Sequence, residues 1–150
     1  MLYRIRRFFA LRGEEKELFV EAYVTLGLMR AALLLFSFKR LTRSLKQRKS
    51  ADEMMPLDEE KRQGAMVVGR AITKAAAHTP WESACLVQAL AAQRMLQKRG
   101  IPGVFYLGAM REKQDGELKA HAWSQCGDMI LTGGKSEAFK ILSVFEWGKE

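Results

Sequence analysis

Trp81-Glu82-Ser83-Ala84-Cys85-Leu86 opens an alanine-rich stretch with helical spacing, and Ala120-His121-Ala122-Trp123 follows on a strand-like stretch, 36 positions on from Cys85 to His121. A thiol near a helix start and an imidazole on a strand are the residue types that a nucleophile and its general base require. Between them the texture of the chain changes. Up to about residue 100 the apolar residues recur at helical intervals; after Gly100 they alternate, broken by glycine and proline. Helices first and strands second give an α+β class, with N-terminal helices followed by a cysteine-bearing helix packed on a small antiparallel sheet.

Four helices are expected: residues 14–38, a basic stretch at 39–47, residues 58–77, and the cysteine helix ending at Arg99-Gly100, where glycine suits a left-handed cap. Thr79-Pro80-Trp81-Glu82 matches a capping box with proline at the first helical position. Ser83 offers a second start, which would place Cys85 in the first turn, where backbone N–H groups and the helix dipole stabilise negative charge best. Strands are expected over 104–107, 119–125, 129–131 and 139–145, with a tight turn at Gly127-Asp128. That turn sets Trp123 opposite Thr132 and His121 opposite Gly134, so Thr132 lies diagonal to His121 on one face.

The chain's 150 residues suffice for one core that buries roughly two thirds of the unfolded surface. Charge is uneven: residues 1–50 hold 12 Lys/Arg against 4 Asp/Glu, a net of +8, and residues 51–150 hold 13 against 13. The expected organisation is therefore a basic, apolar helical arm over 1–50, a polar linker over 49–56 and a catalytic domain over 57–150. Within the arm, residues 18–38 have the length of a membrane span but carry Glu21 and Arg30. Each would cost about 2.5 to 3.5 kcal/mol at mid-membrane, so the stretch reads as a buried or partner-facing helix. Basic residues bracket it, which suits an acidic partner or peripheral contact with anionic lipid. Nothing resembles a helix-turn-helix, and no nucleic-acid partner is expected.

Two cysteines are too few for a disulfide scaffold, and no signal peptide is visible, so a reducing cytoplasm is expected. Cys85, Cys126, His78 and His121 lack metal-ligand spacing; no metal and no cofactor is expected. Each candidate also has a plainer reading. A thiol between Ala84 and Leu86 is an ordinary core residue, a strand histidine is commonly structural, and Trp81 and Trp123 serve a core as readily as the walls of a peptide-binding groove.

The segments Ser83-Ala84-Cys85-Leu86, Ala89-Leu90-Ala91, LQKRGIP (96–102), VFYLG (104–108) and AHAW (120–123), in this order, resemble the lasso-peptide leader peptidases. The stretch LLLFSFKRL (33–41) is similar to that family's N-terminal region. The resemblance implies a transglutaminase-like, papain-related fold and cleavage of a leader from a ribosomally made precursor peptide, ahead of ring closure by an asparagine-synthetase-like cyclase. Cys85 would be the nucleophile and His121 the base, with Trp81 and Trp123 against the substrate. Many relatives place Asp eleven or twelve residues after the histidine; here Thr132 and Gly133 stand there, leaving Thr132 to orient the imidazole. The chain has no room for a leader-recognition module before its catalytic part, which implies a separate leader-binding protein. The alternatives are a non-catalytic transglutaminase-like scaffold and an acyl transferase.

Overall fold

The computed structural model describes residues 13–48, 56–111, 114, 116–134 and 139–148. Its fold is α+β. The described residues form α1 (Gly13–Leu35), α2 (Phe38–Leu41), α3 (Glu59–Ala76) and α4 (Cys85–Lys98), and strands β1 (Lys46–Arg48), β2 (Gly103–Arg111), β3 (Leu118–Cys126), β4 (Met129–Thr132) and β5 (Lys140–Trp147). The strands make one antiparallel sheet in the order β1-β5-β2-β3-β4.

Local chemistry fixes the helix ends. Asp58 caps α3 by accepting a hydrogen bond from the Lys61 N–H at 2.9 Å, and Glu59 and Glu60 sit in the first turn, where the dipole favours them. At the end of α4, Ile101 N–H reaches the Leu96 carbonyl and Gly100 N–H the Gln97 carbonyl, at 3.0 and 3.1 Å, with Gly100 at φ 71°. This is a Schellman closure. The basic stretch expected as a helix over 39–47 is a correction: only Phe38–Leu41 is helical, and Lys46–Arg48 pairs with β5 instead. Thr42 ends the short helix, its N–H and hydroxyl both returning to the Phe38 carbonyl. The linker expected over 49–56 lies almost wholly outside the described residues.

Strand alternation gives the sheet two different faces. Phe105, Leu107, Ala122, Cys126, Phe145 and Trp147 face the helices in the main core, while Val104, Tyr106, Trp123 and Val144 form a second cluster covered by Phe139 and Ile141. Phe105 and Phe145 stack at 4.8 Å, and Phe38 meets Phe145 edge-on at 5.3 Å. Trp147 donates its indole N–H to the Ile101 carbonyl at 2.9 Å. The division expected at residue 50 has no counterpart in the packing. Ala22, Leu26 and Met29 of α1 and Leu45 are buried in the same core as α3, α4 and the sheet.

One ion-pair cluster ties α1 to the end of α4. Glu21 accepts from both guanidinium nitrogens of Arg99 and from Lys98 at 3.3 Å. The Arg99 hydrogen bond first, and the two positive charges with it, hold the Glu21 carboxyl below its ordinary range against the opposing effect of partial burial.

Two outcomes follow for stability. Phe105, 0% exposed at the centre of the main core, should cost about 3 to 5 kcal/mol on truncation to alanine. Leu142, 57% exposed, should cost within about 0.5 kcal/mol on the same change, both read by urea denaturation. Because the Glu21 pKa is depressed on folding, its stabilisation is complete above the unfolded-state value of about 4.3 and disappears as pH falls through the lower folded value. Glu21→Gln should therefore be less stable than wild type at pH 7, and the gap should close as pH falls through the depressed folded-state value.

Candidate active site

The segment before α4 is held out of the helix by its own hydroxyls. Thr79 Oγ1 lies 2.7 Å from Ser83 Oγ and donates at 3.1–3.3 Å toward the carbonyls of Trp81 and Ala76, while Gln88 Nε2 donates to the Ser83 carbonyl at 2.9 Å. Such side-chain to backbone bonds compete with helix formation. The helix therefore starts at Cys85, with Ala84 as N-cap and no side-chain cap. The capping box expected at Thr79 does not form, because Glu82 pairs with Arg30 at 3.7 Å rather than reaching back to residue 79. Cys85 is thus the first residue of α4. Its thiol is free and half-buried against the main core. The open first turn leaves backbone N–H groups without helical partners, the donor arrangement that an oxyanion needs.

His121 lies within β3, paired with Gly108 of β2. Its Nε2 is 2.6 Å from the Gly133 carbonyl oxygen, and its ring lies 5.7 Å from Trp123 and 4.8 Å from Phe139. A carbonyl can only accept, so Nε2 carries the proton and the neutral ring keeps its lone pair on Nδ1. Gly133 is the residue that sequence reasoning missed. It sits at φ 90°, where a Cβ would come within 2.6 Å of the Ala122 carbonyl and Trp123 Cβ, so only glycine brings this carbonyl so close to β3. Its signal in the sequence is its position, twelve residues after His121.

Thr132 does not orient the imidazole. The hairpin turns at Gly127-Asp128 as expected, but the register shifts between Ser124 and Gln125, placing Thr132 opposite Ser124 instead of Trp123. The two buried hydroxyls bond each other at 2.6 Å, which satisfies both. The tryptophans are also packed inward. Trp123 is 3% exposed and stacks on Tyr106 at 5.3 Å. Trp81 meets Tyr23 edge-on at 5.0 Å and closes on Gly27, fastening the loop before Cys85 to α1.

Cys85 and His121 pack with different clusters. Alternation along β3 turns His121 with Trp123 to the sheet face away from the helices, while Cys85 packs on the core that those helices share. Among the described residues no hydrogen bond joins thiol and imidazole. An open groove of about 520 Å³ between α3 and β4, bounded by Met66, Arg70, Lys74 and Leu131, is lined by neither. Cys126 is fully buried, and loss of hydration pushes its thiol up to about 12.

A helix that begins on a free cysteine, laid across an antiparallel sheet with a histidine in its third strand, defines a thiol-bearing α+β class. The profile of the transglutaminase-like superfamily matches residues 26–144, and the chain belongs to that superfamily. No curated protein and no solved structure matches it significantly.

The two thiols should separate by reactivity. Iodoacetamide at pH 7 should modify Cys85 at least tenfold faster than Cys126, whose labelling should await unfolding; peptide mass spectrometry reads both, and equal rates would contradict the placement of Cys126.

Proposed function

We propose that the chain is a cysteine peptidase that removes the leader from a lasso-peptide precursor in the cytoplasm, before a partner asparagine-synthetase-like cyclase closes the ring. The observation that carries this reading is Cys85 as the first residue of α4, in a chain of the transglutaminase-like superfamily. That superfamily accommodates both peptidase and acyl-transfer chemistry. The ordered segments from Ser83 to Trp123 support the peptidase, and the resemblance they carry supplies the substrate.

In this reading the thiolate of Cys85 attacks the carbonyl carbon at the leader–core junction. A C–S bond forms, the tetrahedral oxyanion collapses and the amide C–N bond breaks. The imidazolium of His121 gives its proton to the departing core amine, and water then hydrolyses the thioester, releasing the leader as a carboxylate and restoring the thiol. The Gly133 carbonyl holds Nε2–H and leaves Nδ1 as the base. Because thiol and imidazole are not bonded in the free chain, the pair forms only when a separate leader-binding protein delivers the precursor. The chain alone therefore cuts poorly.

A second reading is favoured by one specific observation. His121 is held by Gly133, Trp123 and Phe139 on the face away from the helices, as expected of a transglutaminase-like scaffold whose cysteine is not catalytic.

Mass spectrometry of the precursor incubated with this chain and the leader-binding protein separates the readings. Wild type should release an intact leader; Cys85→Ala should lose at least 10³-fold in rate, and His121→Ala about 10² to 10⁴-fold. An amine adduct on the leader carboxyl would identify acyl transfer. A folded wild type that leaves bound precursor intact would put the scaffold in place of the peptidase.

A further inference from the structure

Glu21 and Arg30 are the charges that, on sequence, argue against contact between the apolar helix and lipid. Both are turned to the protein. Glu21 is engaged by Arg99 and Lys98, and Arg30 pairs with Glu82. The start of α1 exposes three carboxylates, Glu14, Glu15 and Glu17; from residue 18 onward what remains outward is apolar, and Val20, Val24, Leu28, Leu34 and Leu35 are 48%, 51%, 55%, 69% and 76% exposed, with Phe36, just past the helix, at 46%. At about 100° per residue these five helical positions fall within about 120° of the circumference, a single stripe. Exposed apolar residues scattered singly are ordinary; a continuous stripe marks an interaction surface.

The helix is long and apolar enough to cross a membrane, by length and composition. It cannot do so here with the fold intact, because Ala22 and Leu26 on its inner side are 0% exposed in the main core. Only one face is available, which is the geometry of a helix lying in a membrane interface. The stripe runs straight into Lys39, Arg40 and Arg43, all exposed and none in an ion pair among the described residues. Arg40 lies 5.5 Å from the centre of the Phe36 ring, joining the basic cluster to the apolar end. An anionic surface would neutralise the three exposed cations at this end of the stripe.

We propose that the outer face of α1, with Lys39, Arg40 and Arg43 at its end, docks on an anionic membrane surface, the helix lying in the plane of the interface. The stripe enters the boundary between head groups and acyl chains, and the basic side chains meet the lipid phosphates. This assignment is independent of any role for Cys85.

The test is co-sedimentation of the full chain with phosphatidylcholine vesicles, with and without about one third phosphatidylglycerol. Wild type should bind the anionic vesicles at least tenfold more tightly than the neutral ones and weaken as salt rises. Val24→Gln/Leu28→Gln/Leu35→Gln changes only exposed positions and should keep the unfolding midpoint while losing at least tenfold in binding. Lys39→Gln/Arg40→Gln/Arg43→Gln should lose on the order of a hundredfold. A wild type that stays in solution with anionic vesicles overturns the proposal. So does a stripe variant that binds like wild type, or one whose only change is conversion of a dimer to a monomer without lipid.

Discussion

Everything in this fold leans on the burial of α4 from both sides. Val87, Ala89, Leu90, Ala91, Ala92, Met95 and Leu96 are all buried, so the helix lies between the sheet and the pair α1 and α3. Three alanines at its middle keep its diameter small enough for both layers to close on it, and the larger side chains at either end fill the remaining space. A polar helix could not occupy this position, and a bulkier one would force the layers apart. Fixing α4 fixes Cys85, because the residue is the first of the helix and is half-buried against the same core.

Elements specified by local chemistry were legible in the sequence; those decided by tertiary competition were not. Gly100 announced the end of α4, and Asp58 the start of α3, because each satisfies backbone groups within a turn. Gly127-Asp128 announced the hairpin between β3 and β4 for the same reason. The start of α4 stays open in the sequence between two candidates, since Glu82 could close a capping box or pair with Arg30, a residue 52 positions away that no local rule reveals. Residues 39–47 look helical by composition, yet Lys46–Arg48 found an open edge on β5. An unpaired sheet edge is satisfied by whatever backbone reaches it, and its demand is invisible from one segment alone.

The candidate site divides in the same way. Cys85 and His121 stood out by residue type, but the partner of His121 did not, because it is a backbone carbonyl. Among side chains Thr132 is the orienting group that the expected register offers, and a one-residue slip in register gives that hydroxyl to Ser124 instead. Such a slip reverses which face a strand residue meets. The carbonyl of Gly133 then performs what a carboxylate would, accepting Nε2–H, though as a dipole it stabilises an imidazolium less than a full negative charge. The imidazole is consequently well oriented but weakly supported, and it faces Trp123 rather than the thiol.

The apolar helix shows why a charge count along a sequence misleads when a helix has two different environments. Averaged over residues 18–38, Glu21 and Arg30 dilute the hydrophobic signal and point to a core helix. Resolved by face, the same two charges fasten α1 to Arg99, Lys98 and Glu82, and so remove themselves from the outer surface. The pairing also fixes the helix's rotation: turning α1 to bury Leu28 or Leu35 would carry Glu21 away from its partners on α4. The inner contacts of Ala22 and Leu26 oppose that rotation as well. The exposed stripe is therefore a consequence of how the helix is tethered, and its position relative to Lys39, Arg40 and Arg43 follows from the same contacts that hold the cysteine helix in place.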